Sequence, residues 1–469
     1  MKKLLLSITI LTMALNQLSK AQTQPCFNAP ASLGGLSALG YPRGSVSTDF
    51  NGDGKPDLAV VSRYGNSIFV LLNNGTGGFN PATTYTMSYS QSGANITSAD
   101  FNGDGKPDIA VCASPNNSPH QDVVCVLINT GTGTFGPAVN YNVDQYPWHI
   151  VSADFNGDGK PDLATANMNG SDVSILLNTG TGTFNPAVEY LVGNWSNCVD
   201  MVASDFDGDG KADLAIIGAS NNQLFLLLNN GSGTFSLGGI FVFSGYSEAI
   251  TSGDFNADGK QDIAVSTHIG INVFINAGAG SFNNYYEISD TKYATDIITA
   301  DFNGDGKIDL AGVESGVTRV YLNGGTGNFA AGVPFNGGGS CLTSADFNSD
   351  GKIDIASFTD GQGQILLNCP TPIPPKPAYS TMPGNVCLGS NVNASPSISG
   401  TPPQTYYLSN PLVSPQVDTA KAVCKNNHSV FVLFAGDSVR RYDSAGNYQI
   451  TYPFMPIGSH AIAADNNDR

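Results

Sequence analysis

Seven times along the chain, oxygen-bearing side chains return at the same offsets, with glycine always at the sixth place of the motif. The first place is Asp49, Asp100, Asp154, Asp205, Asp254, Asp301 and Asp346. The third is Asn51, Asn102, Asn156, Asp207, Asn256, Asn303 and Asn348. The fifth is Asp53, Asp104, Asp158, Asp209, Asp258, Asp305 and Asp350, and the ninth is Asp57, Asp108, Asp162, Asp213, Asp262, Asp309 and Asp354. At the seventh place stand Lys55, Lys106, Lys160, Lys211, Lys260, Lys307 and Lys352, each offering a backbone carbonyl. Such a set is a cage of hard oxygens, which suits Ca²⁺ and is too crowded for Mg²⁺, an ion that keeps its waters. No Cys or His lies in any loop, which excludes zinc and copper there. The sixth-place glycine marks a sharp turn that needs positive φ. We therefore expect up to seven structural calcium ions. A plain Asp-Gly turn without metal is the alternative, and it would leave three like charges within nine residues repelling one another.

The spacing matches the first half of an EF-hand, but the twelfth place holds Val60, Val111 or Thr165 where that motif needs Glu. The flanks alternate at period two, so the loops join strands. Composition agrees. The acids divide into 34 Asp and 4 Glu among 38, and Asp favours caps and turns where Glu favours helices. The net charge is −18 and argues against nucleic acid; seven Ca²⁺ ions would add +14 and bring it to −4.

What must position these loops is a repeat. The motif starts are separated by 51, 54, 51, 49, 47 and 45 residues. Each copy continues into an apolar run, a second run ending in Leu-Asn, a Gly-rich hairpin with an aromatic residue, and a third apolar segment. Four short strands per repeat form a sheet that cannot bury two apolar faces alone, whereas radial packing of seven such sheets does so. The predicted fold is all-β, a seven-bladed propeller with four-stranded blades; a solenoid is the runner-up, with rungs usually about half this length. The seventh repeat stops at Cys369, and the segment it lacks stands at Cys26 to Ala31, with Phe27 aligned to Phe79, Phe135 and Phe184. The N-terminal strand should complete blade seven, and a Cys26–Cys369 disulfide should clasp the ring. Cys112 and Cys125 flank one hairpin and can pair, as can Cys387 and Cys424 in the tail, while Cys198 and Cys341 read as small buried residues.

The aspartate loops, together with Phe135, Gly136, Pro137 and Ala138, resemble the FG-GAP or VCBS repeat family, which includes the integrin α-subunit propellers. The resemblance spans about residues 27 to 368. It implies a seven-bladed propeller with calcium between the first two strands of each blade, used for adhesion and ligand binding or as an accessory domain beside enzymes.

Lys2 and Lys3 before the apolar run Leu4 to Leu15, with small residues ahead of Gln22, read as a signal peptide over residues 1–21. The propeller is expected over 22–369, a Pro-rich linker over 370–385, and a small β-rich region over 386–469 whose closing segment from Ala461 resembles the opening of another propeller-type repeat. No catalytic motif is visible: there is no His pair at metal-binding spacing, no nucleophile elbow and no P-loop. The loops opposite the aspartate corners differ from copy to copy and hold Trp148, Trp195, Tyr146, His149, Tyr246 and Tyr293. They can form a ligand face, or these aromatics can fill the wedges between blades. The sequence thus points to a secreted or cell-surface binding or adhesion module for an extracellular protein or glycan. The competing expectation is an accessory or catalytic propeller of a polysaccharide-degrading enzyme.

Overall fold

The computed structural model describes residues 25–369, apart from 64–65, 88–90, 93–94, 116–121, 194–196, 220–221, 284, 290–293 and 315, together with four strands between 420 and 452. The signal peptide, the Pro-rich linker, Trp195 and Tyr293 lie outside the described residues. The chain divides into two units, Met1–Cys369 and Pro370–Arg469.

The first unit is a seven-bladed β-propeller built of four-stranded antiparallel blades, to which blade two adds the two-residue strand Gln91–Ser92. Blade one runs outward through Pro42–Thr48, Asp57–Ser62, Ser67–Leu71 and Thr83–Thr86, and the later blades repeat that order. The second strand is buried along its whole length in blades one and three to six, as in Asp162–Asn167 and Asp213–Gly218. Covered on both faces, it carries a continuous apolar run. The outer strands alternate or are exposed, as in Val188–Leu191. Innermost strands neighbour one another in a closed circle, blade seven meeting blade one through Cys341–Ala345 and Pro42–Thr48.

Closure follows the predicted arrangement. Ala31–Leu33 pairs with Gln362–Leu366 as the outer strand of blade seven. Phe27 bridges Asn368 in the same way that Phe79, Phe135, Phe184 and Phe329 bridge Asn73, Asn129, Asn178 and Asn323. Cys26 and Cys369 form a disulfide spanning 343 residues.

The blades are sewn together by residues whose role is silent in the sequence. The second-place phenylalanine of each aspartate loop packs edge-on against the hairpin phenylalanine of the next blade: Phe50 on Phe135, Phe101 on Phe184, Phe155 on Phe235, Phe206 on Phe282, Phe255 on Phe329 and Phe347 on Phe79. The circle closes with Phe302 on Phe27, at 6.3 Å between centroids. Each such pair contributes roughly 0.5–1.5 kcal/mol beyond its buried area. The Asn that ends the third strand reaches back over the same seam. Asn178 Nδ2 donates to the carbonyl of Phe101 at 2.9 Å, Asn129 to Phe50 at 2.8 Å and Asn73 to Phe347 at 3.0 Å, and blades four to seven repeat the bond.

One expected pairing is corrected. Cys112 and Cys125 are free and buried. They sit on neighbouring strands, but Cys112 faces Val124 and Cys125 faces Val111, so a one-residue offset sends the two thiols to opposite sides of the sheet. Burial raises both thiols to about 12. Cys198 and Cys341 are buried and free, as expected. In the second unit, Ala420–Lys425, Ser429–Phe434, Val439–Asp443 and Tyr448–Tyr452 form one antiparallel sheet in chain order. Cys387 lies outside the described residues.

Candidate functional site

Each aspartate loop connects the innermost strand of a blade to the second, and it is built on two left-handed residues. The sixth-place glycines have positive φ throughout, Gly54 at 81° and Gly306 at 80°. The fourth place does as well, a feature the sequence reading missed because the residue there varies: Gly52 at 76°, but Ala257 at 61° and Ser349 at 59°. These turns aim backbone N–H groups at the first aspartate. Asp49 Oδ1 accepts from Gly52 N at 2.7 Å and Asp53 N at 3.1 Å, and its Oδ2 accepts from Gly54 N at 2.7 Å. Asn51 Oδ1 accepts from Asp53 N at 2.8 Å. The first, third and fifth side chains therefore converge on one exposed corner.

In blade four, where the third place is Asp207, carboxylate oxygens of Asp205, Asp207 and Asp209 lie within 4.8 Å of one another. Three anionic oxygens at that separation repel unless a cation joins them, so the donor set fits a hard divalent ion. A cation of the chain's own already leans on the corner. Lys160 Nζ lies 2.9 Å from Asp158 Oδ2, and the same pair recurs in blades one to six. Hydrogen bonding to these ammonium groups holds Asp158, Asp209 and Asp258 below the ordinary carboxylate range. The lysine stem runs beneath the Gly-rich hairpin, where a Cβ on Gly180 would lie 2.6 Å from Lys160 Cε. Corner and hairpin share one face of the ring. In blade seven the lysine instead donates to the carbonyl of Cys369, beside the disulfide.

The ninth-place aspartates lie deeper than the other three. All seven are fully buried. Asp57 Oδ2 accepts from Phe50 N at 3.0 Å and its Oδ1 from Asn73 N at 2.7 Å, tying the loop to the end of the third strand. The other six repeat both bonds. Burial, with the nearby loop carboxylates adding to it, raises Asp57, Asp108, Asp162, Asp213, Asp262 and Asp354 to about 6 and Asp309 to about 7.

On the opposite face, the starts of the innermost strands surround the axis. Trp148 stacks with Tyr146 at 5.8 Å and 18°, and the guanidinium groups of Arg43 and Arg63 lie 4.2 and 5.0 Å from the Trp148 ring centroid. Tyr246 is exposed and packs against His268. His149, expected on the ligand face, is instead inside the axial cavity of about 440 Å³, with Nε2 2.9 Å from Asp200 Oδ1. Asp200 Oδ2 accepts from Ile250 N at 2.9 Å and Asp296 Oδ2 from Leu342 N at 2.7 Å, each bond joining a blade to the next. Burial raises Asp296 to about 7. The arginine–tryptophan contact could not be seen in the sequence, because blades one and three meet only across the axis.

The sequence matches a family described as FG-GAP-like repeat over residues 49–111, 111–165, 154–216, 205–265, 254–312 and 301–357. Among solved structures, the chain is similar to BBS1N from its complex with ARL6DN, at 12% identity and a TM-score of 0.53, covering 74% of this chain and 99% of that one. It is similar to Sqt1 of Saccharomyces cerevisiae at 14% identity and a TM-score of 0.49, covering 70% and 84%. It is also similar to an Agrocybe aegerita lectin that recognises non-reducing terminal N-acetylglucosamine, at 23% identity and a TM-score of 0.44, covering 64% and 81%. At 12% identity, the BBS1N likeness is one of fold. No curated protein matches the sequence.

Proposed function

The chain belongs to the FG-GAP-like repeat family, and from that premise we propose that it is a secreted, calcium-stabilised propeller that binds an extracellular protein or glycan. The observation that carries this reading is the contrast between its two faces. One face repeats the same corner seven times, and the other presents a different set of side chains from every blade. Repetition suits a structural clamp, while variation over a rigid scaffold suits recognition.

Calcium would be held by the first-, third-, fifth- and ninth-place side chains and the seventh-place carbonyl, the ninth-place aspartate also anchoring the loop from below. Secretion is supported by the basic and apolar start of the chain and by a disulfide that an oxidising compartment permits. Among the described residues no helix is long and apolar enough to cross a membrane.

Two measurements test the reading separately. Titration of calcium into EDTA-stripped full-length protein should show uptake of several ions per chain; no heat of binding would remove the calcium claim. Calcium-loaded protein should then retain a ligand on an array of extracellular glycans and proteins, and a blank array would remove the binding claim.

A further inference from the structure

The outer strand of blade four is unlike the other six. Those six run for three or four residues each: Thr83–Thr86, Val139–Asn142, Val188–Leu191, Tyr286–Ile288, Val333–Asn336 and Ala31–Leu33. In blade four, Phe235–Val242 runs for eight. The cause is in the sequence. Pro81, Pro137, Pro186 and Pro30 follow the hairpin phenylalanine by two or three places, and blade six carries Pro334 inside its outer strand. Proline cannot donate to a ladder, so it cuts a strand short or blunts its free edge. Blade five has Glu287 in that strand instead. The blade-four strand holds neither proline nor charge.

Phe235–Val242 ends its sheet, so a row of backbone N–H and C=O groups runs along an edge that no strand pairs among the described residues. Its side chains add to the exposure. Leu237, Ile240 and Val242 are 52%, 46% and 65% exposed, three of the nine large hydrophobic side chains exposed among the described residues. They share one face of the sheet. Ile240 pairs with Phe225 and Val242 with Gln223, and a bulge at Gly238 sets Leu237 opposite Leu227. Without that extra residue Leu237 would point to the other face. Across the wedge, Val188 of blade three is exposed and Tyr190 packs on Phe235.

Charge decides what can lie there. Between Asp213 and Glu248 the chain has no Asp, Glu, Lys, Arg or His, although its net charge is −18. Such an edge offers nothing to attract or orient a charged partner. What complements it is another neutral, apolar strand edge, and every copy of the chain carries one. A second copy meets no like charge on this strand, as it would at the aspartate corners.

We propose that Phe235–Val242 pairs antiparallel with the same strand of a second copy about a two-fold axis, joining two blade-four sheets into one. The axis keeps like faces together, so Leu237, Ile240 and Val242 of both copies lie on the same side of the joined sheet and cover one another. Antiparallel pairing turns the second ring over, and the two corner faces point opposite ways. The contact closes on itself and stops at two copies. A joint one strand long buries less than a standard interface, so the dimer is weak and concentration-dependent.

Sedimentation velocity on calcium-loaded full-length protein tests this. Monomer should give way to dimer, and to nothing larger, as concentration rises. The dimer should persist in high salt, which screens charge but not apolar contact. Hydrogen exchange at Phe235–Val242 should slow in step with dimer formation, a readout on the wild-type chain that needs no variant. Ile240→Lys with Val242→Lys crowds like charges into the joint and should weaken dimerisation by on the order of tenfold or more. Leu191→Lys, at an exposed site on blade three that points away from blade four, should leave it unchanged. A protein that stays monomeric at every concentration overturns the proposal, as does a dimer that survives the lysine pair. Slow exchange at Phe235–Val242 in the monomer would mean that the chain covers its own edge, and would overturn it as well.

Discussion

The corner face of this ring and the face across from it are made by the same seven strand pairs, yet they obey opposite rules. At the corners, sequence and geometry repeat together. Asp49, Asp154 and Asp301 accept the same three N–H bonds, and the sibling lysines contact the same carboxylate in six blades. On the face across from them, the residue six places before the first aspartate becomes Arg43, Trp148, Val199 or Glu248. The lesson is that a ring clamped at its rim by identical units leaves the axial end of each blade free to vary without endangering closure.

Removing calcium should be the most disruptive test of that division. If calcium stands ten-fold above Kd, each occupied site adds roughly 1.4 kcal/mol, so seven sites could contribute on the order of 10 kcal/mol. EDTA should therefore lower the calorimetric Tm by many degrees, and a Tm unmoved by EDTA would reduce the corners to ordinary turns. Opening the clasp comes next. Cys369→Ser should cost about 5 kcal/mol, because the cross-link closes nearly the whole ring in the unfolded chain. Denaturant unfolding of this variant against wild type measures it, and an unchanged midpoint would show that the Phe27–Phe302 contact closes the ring unaided.

The seam is the third place to press. Asn178→Ala removes the side-chain donor to the carbonyls of Phe101 and Pro161, both at 2.9 Å. Phe101 O keeps its bond from Gly182 N, so losing the two side-chain bonds across the seam should cost about 2 kcal/mol in urea unfolding. A substitution at exposed Tyr246 should cost little. If both cost the same, stability is not concentrated on the corner side.

Much of this was legible beforehand, and what was not has a physical reason. The aspartate loops announce themselves because ligand chemistry fixes both residue type and spacing. The circular closure was visible because a piece missing after Asn368 reappeared at Phe27. The Asn and Phe of the seam were visible as repeats, but a repeated residue does not say whether it serves its own blade or the next. Cys112 and Cys125 misled because proximity along a hairpin is not register. His149 reads as a loop residue, and only the packing of blades three and four turns it inward to Asp200. The meeting of Arg43 and Arg63 with Trp148 joins segments about a hundred residues apart, which local patterning cannot relate.

Acidification should set the metal-free and calcium-loaded forms moving in opposite directions. The ninth-place aspartates are raised in the folded state to about 6, and Asp309 to about 7, from an ordinary value of 3.8. A folded state that binds protons more tightly than the unfolded one gains stability as pH falls. That gain is complete below the unfolded value and is lost as pH rises through the folded one. In EDTA, Tm should climb as pH falls from 7.5 to about 5. With calcium, protons compete for the first- and fifth-place carboxylates, and Tm should fall over the same range. Parallel slopes in the two forms would mean that the corners hold no ion.

The finest contrast lies within the corner face itself. Five loops place glycine at the fourth position, but blades five and seven place Ala257 and Ser349 there at φ of 61° and 59°. Gly52, Gly103, Gly157, Gly208 and Gly304 each donate to the first aspartate at 2.7 Å, a bond that Ala257 and Ser349 do not make. A left-handed alanine costs roughly 1–2 kcal/mol. Glycine loses roughly 0.5–1 kcal/mol more chain entropy on folding. The two effects nearly cancel, so Ala257→Gly should stabilise the metal-free protein by only about 0.5 kcal/mol. The reverse change, Gly157→Ala, should destabilise it by a similar or somewhat larger amount, since it also loses an aspartate contact. Urea midpoints of the two variants, read against wild type in EDTA, decide the matter. If Gly157→Ala were neutral and Ala257→Gly destabilising, the fourth place would not govern the corner turn, and the equivalence of the seven corners would rest on the carboxylates alone.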